Sequence, residues 1–239
     1  MLDFIKLKDI LFLDIETVPE QEKFSNLSEN MQALWVKKAK RINANKKAHK
    51  LYDRAGIFSE FGKIVCISTG FITQTPEGIM QLRLKSFFGH DEKQILHAFR
   101  DLLNDAFTHK YLCAHNGKEF DFPYIARRML INGIKLPEPL NMAGKKPWEV
   151  RHLDTLELWK FGDYKHYTSL NLLTEIFNIP TPKDDIDGSM VKSVYYDEKD
   201  LDRIALYCEK DTTAVAQLYL RYQNRQIIEP DNIISVSHS

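Results

Sequence analysis

The run Ile10-Leu11-Phe12-Leu13-Asp14-Ile15-Glu16-Thr17 constrains this chain more than any other stretch. Its first four residues are apolar without alternation, the pattern of a strand covered on both faces, so a layered sheet with helices on each side is expected. Two carboxylates then enter the same strand. Strand side chains alternate with period two, so Asp14 and Glu16 project from one face, a single step apart. Unpaired anions beside a buried strand are costly unless a cation sits between them, and a divalent metal ion is the simplest one. The alternative is that the strand has reached solvent at Asp14. A lone D-x-E does not separate the two.

Charge bounds the partners. The 239 residues carry 33 basic and 33 acidic side chains, so a polyanion can be met only by a local patch. One stretch supplies it. Met31, Leu34, Trp35 and Ala39 recur at helical spacing, and Lys37, Lys38, Lys40, Arg41, Lys46, Lys47, Lys50 and Arg54 follow with few acids among them. Residues at about 20-60 therefore read as a basic helical insertion, either a solvated face or an arm that contacts phosphates. No apolar run approaches the roughly 20 residues of a membrane span, and Met1-Leu2-Asp3 does not open a signal peptide. Cys66, Cys113 and Cys208 lie in apolar contexts without C-x-x-C spacing, so a cytoplasmic protein with reduced core thiols and no membrane partner is expected.

Two β-rich runs, 63–72 and 82–88, flank the turn Thr75-Pro76-Glu77-Gly78 and predict an antiparallel hairpin. Asp91 is placed to cap a helix that turns Ile95, Leu96, Phe99, Leu102, Leu103 and Phe107 inward. A strand at 111–115 leads into a helix from Phe122 to Ile131 that Asn132-Gly133 closes. The run from Val150 to Leu158 reads as a further strand, Ser169 opens another helix, and a last long helix covers 201–225. The stretch after Pro230 has no pattern. Together these predict one α/β domain over 1-225, a mixed sheet between helices, and a tail at 226-239.

The last helix carries the second anomaly. Leu201, Ile204, Cys208, Asp211, Val215, Leu218 and Tyr222 step by three and four, a buried stripe with an acid in its middle. Asp211 therefore needs a partner: a metal ion, or a basic side chain on the sheet. Tyr207, four residues earlier, lies one turn back on nearly the same face; by itself it reads as a core tyrosine with a satisfied hydroxyl before it reads as a catalytic group. Asp121 precedes Phe122-Pro123, and helix capping would explain it as well as metal ligation. A pair of Mg2+ or Mn2+ ions about 4 Å apart, as in phosphodiester hydrolysis, would give all four acids one purpose. Such hard cations take carboxylate oxygens, not the histidine or cysteine that zinc prefers.

Asp14-x-Glu16-Thr17, Asn116-x-x-x-Phe120-Asp121-x-Pro123 and Tyr207-x-x-x-Asp211 resemble the three motifs of the DEDD 3′–5′ exonucleases, in the tyrosine-bearing subgroup. The stretch from Ile179-Pro180 through Lys183-Asp184-Asp185-Ile186-Asp187-Gly188-Ser189, with Tyr207-Cys208, is similar to stand-alone bacterial proteins related to the proofreading domain of family-B DNA polymerases. The resemblance spans Ile10 to Tyr222 and implies a ribonuclease H-like fold, a mixed five-stranded sheet flanked by helices. It also implies that Asp14 bridges two metal ions, that Glu16 and Asp211 hold the nucleophile-side ion, that Asp121 holds the other, and that Tyr207 orients or activates the attacking water. Histidine-type relatives place a histidine where this chain has Leu206. Thr17, Asn116, Lys118, Phe120 and Leu170 are the candidate substrate contacts, Lys118 on a phosphate. Phe120 and Leu170 read as wedges against terminal bases or as core packing. The implied activity is release of nucleoside 5′-monophosphates from the 3′ end of single-stranded DNA, with DNA preferred over RNA. An exoribonuclease and a non-catalytic nucleic-acid-binding module remain open alternatives.

Overall fold

The computed structural model describes residues 4–163, 167–180 and 186–237. Strand β1 (Ile10–Pro19) is the hub. It pairs antiparallel with β2 (Gly62–Gln74) on one side, and β2 pairs in turn with β3 (Met80–Phe88) in the expected hairpin. On its other side β1 pairs parallel with β4 (Tyr111–Ala114), beyond which lies the short β5 (Leu153–Asp154). Neighbours on both edges bury the strand: Ile10, Leu11, Phe12 and Leu13 are at most 1% exposed.

Helices cover the two faces. Leu11, Leu13 and Ile15 pack with Leu96 and Phe99 of α2 (Glu92–Ala106) and with Phe122 and Ile125 of α3 (Asp121–Ile131). Ile10 and Phe12 point the other way, against Val215 and Tyr219 of α7 (Leu201–Tyr222). Val18 joins Ile204 and Cys208 of the same helix, together with Val191 of the short α6 (Val191–Ser193). Each buried aliphatic or aromatic side chain contributes about 1.5–3 kcal/mol. A slip of one residue would send this whole set to the wrong face, so packing fixes the register that turns Asp14 and Glu16 toward α7.

Three sequence expectations change. Among the described residues the sheet has six strands in the order β5-β4-β1-β2-β3-β6, not five. The added strand, β6 (Ile233–Ser235), comes from the stretch after Pro230 and pairs parallel with β3. The strand expected from Val150 to Leu158 shrinks to β5, because Asp154 accepts hydrogen bonds from Leu156 and Glu157 N–H and starts α4 (Thr155–Lys160). The expected caps of α2 by Asp91 and of α5 (Leu170–Ile176) by Ser169 are observed. Lys183, Asp184 and Asp185 of the quoted stretch lie outside the described residues.

The basic segment folds around its own aromatic core. Trp35 of α1 (Glu29–Ile42) packs against Tyr52 and Phe61, and its indole N–H donates to Ala48 O at 2.9 Å where a run of 3-10 turns (Ala48–Ile57) begins. Among the described residues no helix is long and apolar enough to cross a membrane.

Candidate active site

Helix α7 runs across β1 so that their apolar stripes meet at both ends, Tyr219 and Val215 at Phe12 and Ile204 at Val18. Between those contacts β1 presents Asp14 and Glu16, and α7 presents Cys208 and Asp211. The acid on the helix stripe thus lies where the strand turns acidic. Burial drives the Asp14 carboxyl well above the usual carboxylate range, and the charges of Asp211, Glu16 and Asp121 push it further. Glu16, 7% exposed, is raised by burial and then by Asp211 and Asp121.

Asp121 arrives from the other edge. Strand β4 pairs with β1 only at Ile10 to Phe12, so the edge of β1 beyond Phe12 is open on that side. The chain crosses back over it in the loop Asn116–Phe120. Asn116 adopts φ 62°, and a Cβ at Gly117 would stand 2.5 Å from the Ala114 Cβ, so the turn requires glycine. The sequence left capping open for Asp121, but Phe120 occupies the cap position and Asp121 is the first residue of α3. Its carboxylate accepts from its own N–H and from Ile15 N–H on β1. Burial raises it to about 7, and Asp154 and Asp211 add repulsion.

Tyr207 hydrogen-bonds Asp211. Burial first, then the charges of Asp211, Glu16 and Asp14, hold its phenol far above the usual tyrosine range. All five residues of the central prediction therefore meet at one place. Asp14, Glu16 and Cys208 offer ligand atoms within 4.8 Å of one another. Burial and then the neighbouring Cys66, Asp14 and Glu16 push the Cys208 thiol well above its usual range, and it contacts Asp14 O at 3.3 Å and Oδ2 at 3.4 Å. Beside it, the carboxylate oxygens of Asp14 and Glu16 suit a hard divalent cation.

The substrate candidates divide. Thr17 and Phe120 line a cleft of about 460 Å³ together with Glu16, Arg54 and Lys192. Phe120 also packs on Tyr124, ring centroids 5.3 Å apart. Asn116 and Lys118 line a second cleft of about 480 Å³ on the Asp154 side. The Lys118 ammonium is already paired with Glu157 at 2.5 Å. Leu170 is half-buried and packs against Leu173, Ile179 and Leu218.

Three residues at the site had no place in the sequence reading as functional groups. Asp154, 3% exposed, accepts from Asn116 N–H at 2.9 Å and Lys118 N–H at 3.1 Å and so fixes the loop that delivers Asp121. Its signal was available in Asp154-x-x-Glu157, the spacing of a capping box. Cys208 stands three residues before Asp211 on the same helix face, which was visible, although its contact with Asp14 was not. Tyr167 is raised by burial and then by the charges of Asp121 and Asp154, which places its hydroxyl near both; no local pattern announces it.

Residues 58–231 match the family described as "Predicted 3'-5' exonuclease related to the exonuclease domain of PolB". The match takes in Asp121, Tyr207 and Asp211 and begins after Asp14 and Glu16. The solved structure of the family B DNA polymerase from the hyperthermophilic archaeon Pyrobaculum calidifontis is similar in fold, with a TM-score of 0.53 and 17% identity. That likeness covers 89% of this chain and 24% of the polymerase chain, so the present chain spans about a quarter of that protein's length. The shared architecture is the ribonuclease H-like one, with a mixed sheet between helices. By this match over most of its length, the chain belongs to the family of predicted 3′–5′ exonucleases related to the exonuclease domain of PolB.

Proposed function

We propose that this chain is a metal-dependent 3′–5′ exonuclease that hydrolyses phosphodiester bonds from the 3′ end of single-stranded DNA, in preference to RNA, and releases nucleoside 5′-monophosphates. The observation that carries this reading is the convergence of Asp14, Glu16, Asp121 and Asp211 from a strand, a helix start and a distant helix. The charges of Asp211 and its neighbours raise the Asp14, Glu16 and Asp121 carboxyls, a repulsion with no use to the fold alone. Among the described residues Asp14, Glu16 and Asp121 have no salt bridge to relieve it.

In this reading Asp14, Glu16, Asp121 and Asp211 would together hold two Mg2+ or Mn2+ ions. When bound, such ions make hydroxide available at neutral pH and neutralise charge on the leaving oxygen. The Tyr207 hydroxyl, anchored on Asp211, orients the attacking water. Burial and the neighbouring carboxylates hold it well above the usual tyrosine range, which favours an aligning hydroxyl over a base. Thr17 and Phe120 receive the terminal nucleotide in the cleft beside Glu16. Asp154 holds the preceding loop and with it the position of Asp121. The three buried cysteines, free thiols in the fold, suit a reducing cytoplasmic setting.

The test is competition between 3′-labelled DNA and RNA oligomers under Mn2+, with wild-type protein and Asp211→Asn. Divalent-dependent release of mononucleotides by the wild type, abolished in the variant while single-strand binding persists, is the expected result. Undiminished cleavage by Asp211→Asn would remove the mechanism, and faster loss of RNA would assign the exoribonuclease reading instead.

A further inference from the structure

The chain as a whole is electrically balanced, with 33 basic and 33 acidic residues, yet from Lys37 to Arg54 it carries eight cations and a single acid, Asp53. That acid is paired with Lys192. None of the eight cations has a carboxylate partner among the described residues. A merely solvated face interleaves both signs; this one does not. Lys37, Lys40, Arg41, Lys46, Lys47 and Lys50 are exposed.

The segment is also fastened beside the carboxylates. A Cβ at Gly56 would stand 3.0 Å from the carbonyl carbon of Val18 and 3.2 Å from Pro19 N, so only glycine lets the segment approach β1 this closely. The Tyr124 hydroxyl donates to Gly56 O at 2.7 Å. Arg128 of α3, 4% exposed and paired with Glu92, donates to Ser59 O at 3.0 Å and to Glu20 at 2.9 Å, which ties down both ends of the segment. Held in this way, Arg54 lines the same cleft as Glu16, Thr17 and Phe120. Lys50 precedes Arg54 by four residues in the same 3-10 run, and Lys47 and Lys46 lie just before that run begins.

We propose that the segment Lys37–Arg54 is a backbone-binding arm, which takes the phosphates of the strand leading 5′ from the bond being cut. The proposal rests on the exonuclease reading and extends it to how the polymer is held. In a 3′-end-directed site the terminal phosphodiester lies at the carboxylates and every other phosphate lies to its 5′ side. A set of exposed cations without carboxylate partners, continuous in sequence with the cleft-lining Arg54, is placed to take those phosphates. The partner is therefore a single-stranded polyanion, recognised by charge and not by base.

The test uses the triple variant Lys46→Gln, Lys47→Gln, Lys50→Gln and a charge-matched control, Lys8→Gln, Lys93→Gln, Lys135→Gln. Binding of a long single-stranded oligo-dT is measured in EDTA over a range of KCl. Each phosphate deprived of its cation takes about 0.7 off the slope of log affinity against log salt, so the arm variant loses about 2 and the control keeps the wild-type slope. With Mn2+ restored, KM for the long oligomer rises about tenfold or more in the arm variant, and the defect fades on a trinucleotide too short to reach the arm. An unchanged salt slope, or a defect equal on long and short substrates, overturns the proposal. Because the slope is read without cleavage, it decides the arm even if the chain turns out to cut nothing. Cleavage with an unaltered slope rejects the arm and leaves the nuclease reading standing.

Discussion

Asp121→Asn should make the metal-free protein more stable, and the gain should depend on pH in a defined direction. The Asp121 carboxyl titrates near 3.8 in an unfolded chain and at about 7 in the fold, where burial and the charges of Asp154 and Asp211 oppose ionisation. At about 1.4 kcal/mol per unit this corresponds to about 4 kcal/mol. A carboxyl with a raised native pKa binds its proton more tightly when folded. Native stability therefore falls as pH rises from about 4 to about 7 and stays low above that window. Asparagine is neutral throughout and keeps an oxygen to accept from Ile15 N–H, so it removes the repulsion at the cost of a weaker hydrogen bond. A gain of about 2–4 kcal/mol at pH 8 in EDTA would move Tm up by roughly 5–15 °C for a chain of this size. At pH 5 more than half of that gain should be gone. Mn2+ at about 1,000 times its Kd should offset or reverse the order, since it stabilises the wild type by about 4.1 kcal/mol. Calorimetry of both proteins across pH, with and without Mn2+, is the assay. A variant less stable than wild type in EDTA at pH 8, or a gain that ignores pH, would refute the electrostatic account of the site.

Tyr207→Phe should lower kcat about a hundredfold with little change in single-strand binding, because only the hydroxyl on Asp211 is lost. The pH–rate curve of this variant should keep the wild-type shape between pH 6 and 9, and disappearance of an alkaline limb would instead make Tyr207 a titrating base. Asp154→Ala should cost about 2–4 kcal/mol, since it leaves the N–H groups of Asn116, Lys118, Leu156 and Glu157 without their acceptor. It should also weaken Mn2+ binding, read by titration calorimetry, by loosening the loop ahead of Asp121; unchanged metal affinity would show that loop to be set by other contacts.

Much of the site was legible because two simple periodicities converge on it. Period two placed Asp14 and Glu16 on one strand face, and steps of three and four placed Asp211 on the buried side of α7; both statements are local. Asp121 was legible as a residue but ambiguous in role, since the same position suits a cap. What no local pattern shows is the open edge of β1 past Phe12, which lets the start of α3 reach Ile15, and that is a fact about β4 ending early. Asp154 was hidden by the run around it, which reads as a strand although its aspartate stops the strand and starts α4. Strand β6 was illegible for another reason: three residues on the far edge of β3 acquire their conformation from pairing, not from composition. Leu170 and Phe120 were undecidable in sequence because an apolar side chain that wedges and one that packs look alike, and here Leu170 packs while Phe120 also reaches the cleft.

The order of the pieces along the chain has a consequence for its synthesis. Asp14 and Glu16 belong to the first strand of the sheet, whereas Tyr207 and Asp211 belong to the last helix. A ribosome that has released the first has yet to make the second, and domains settle only when their final elements are available to dock. An unfinished chain therefore carries a half-built acid cluster, and the cluster closes only when α7 docks on β1.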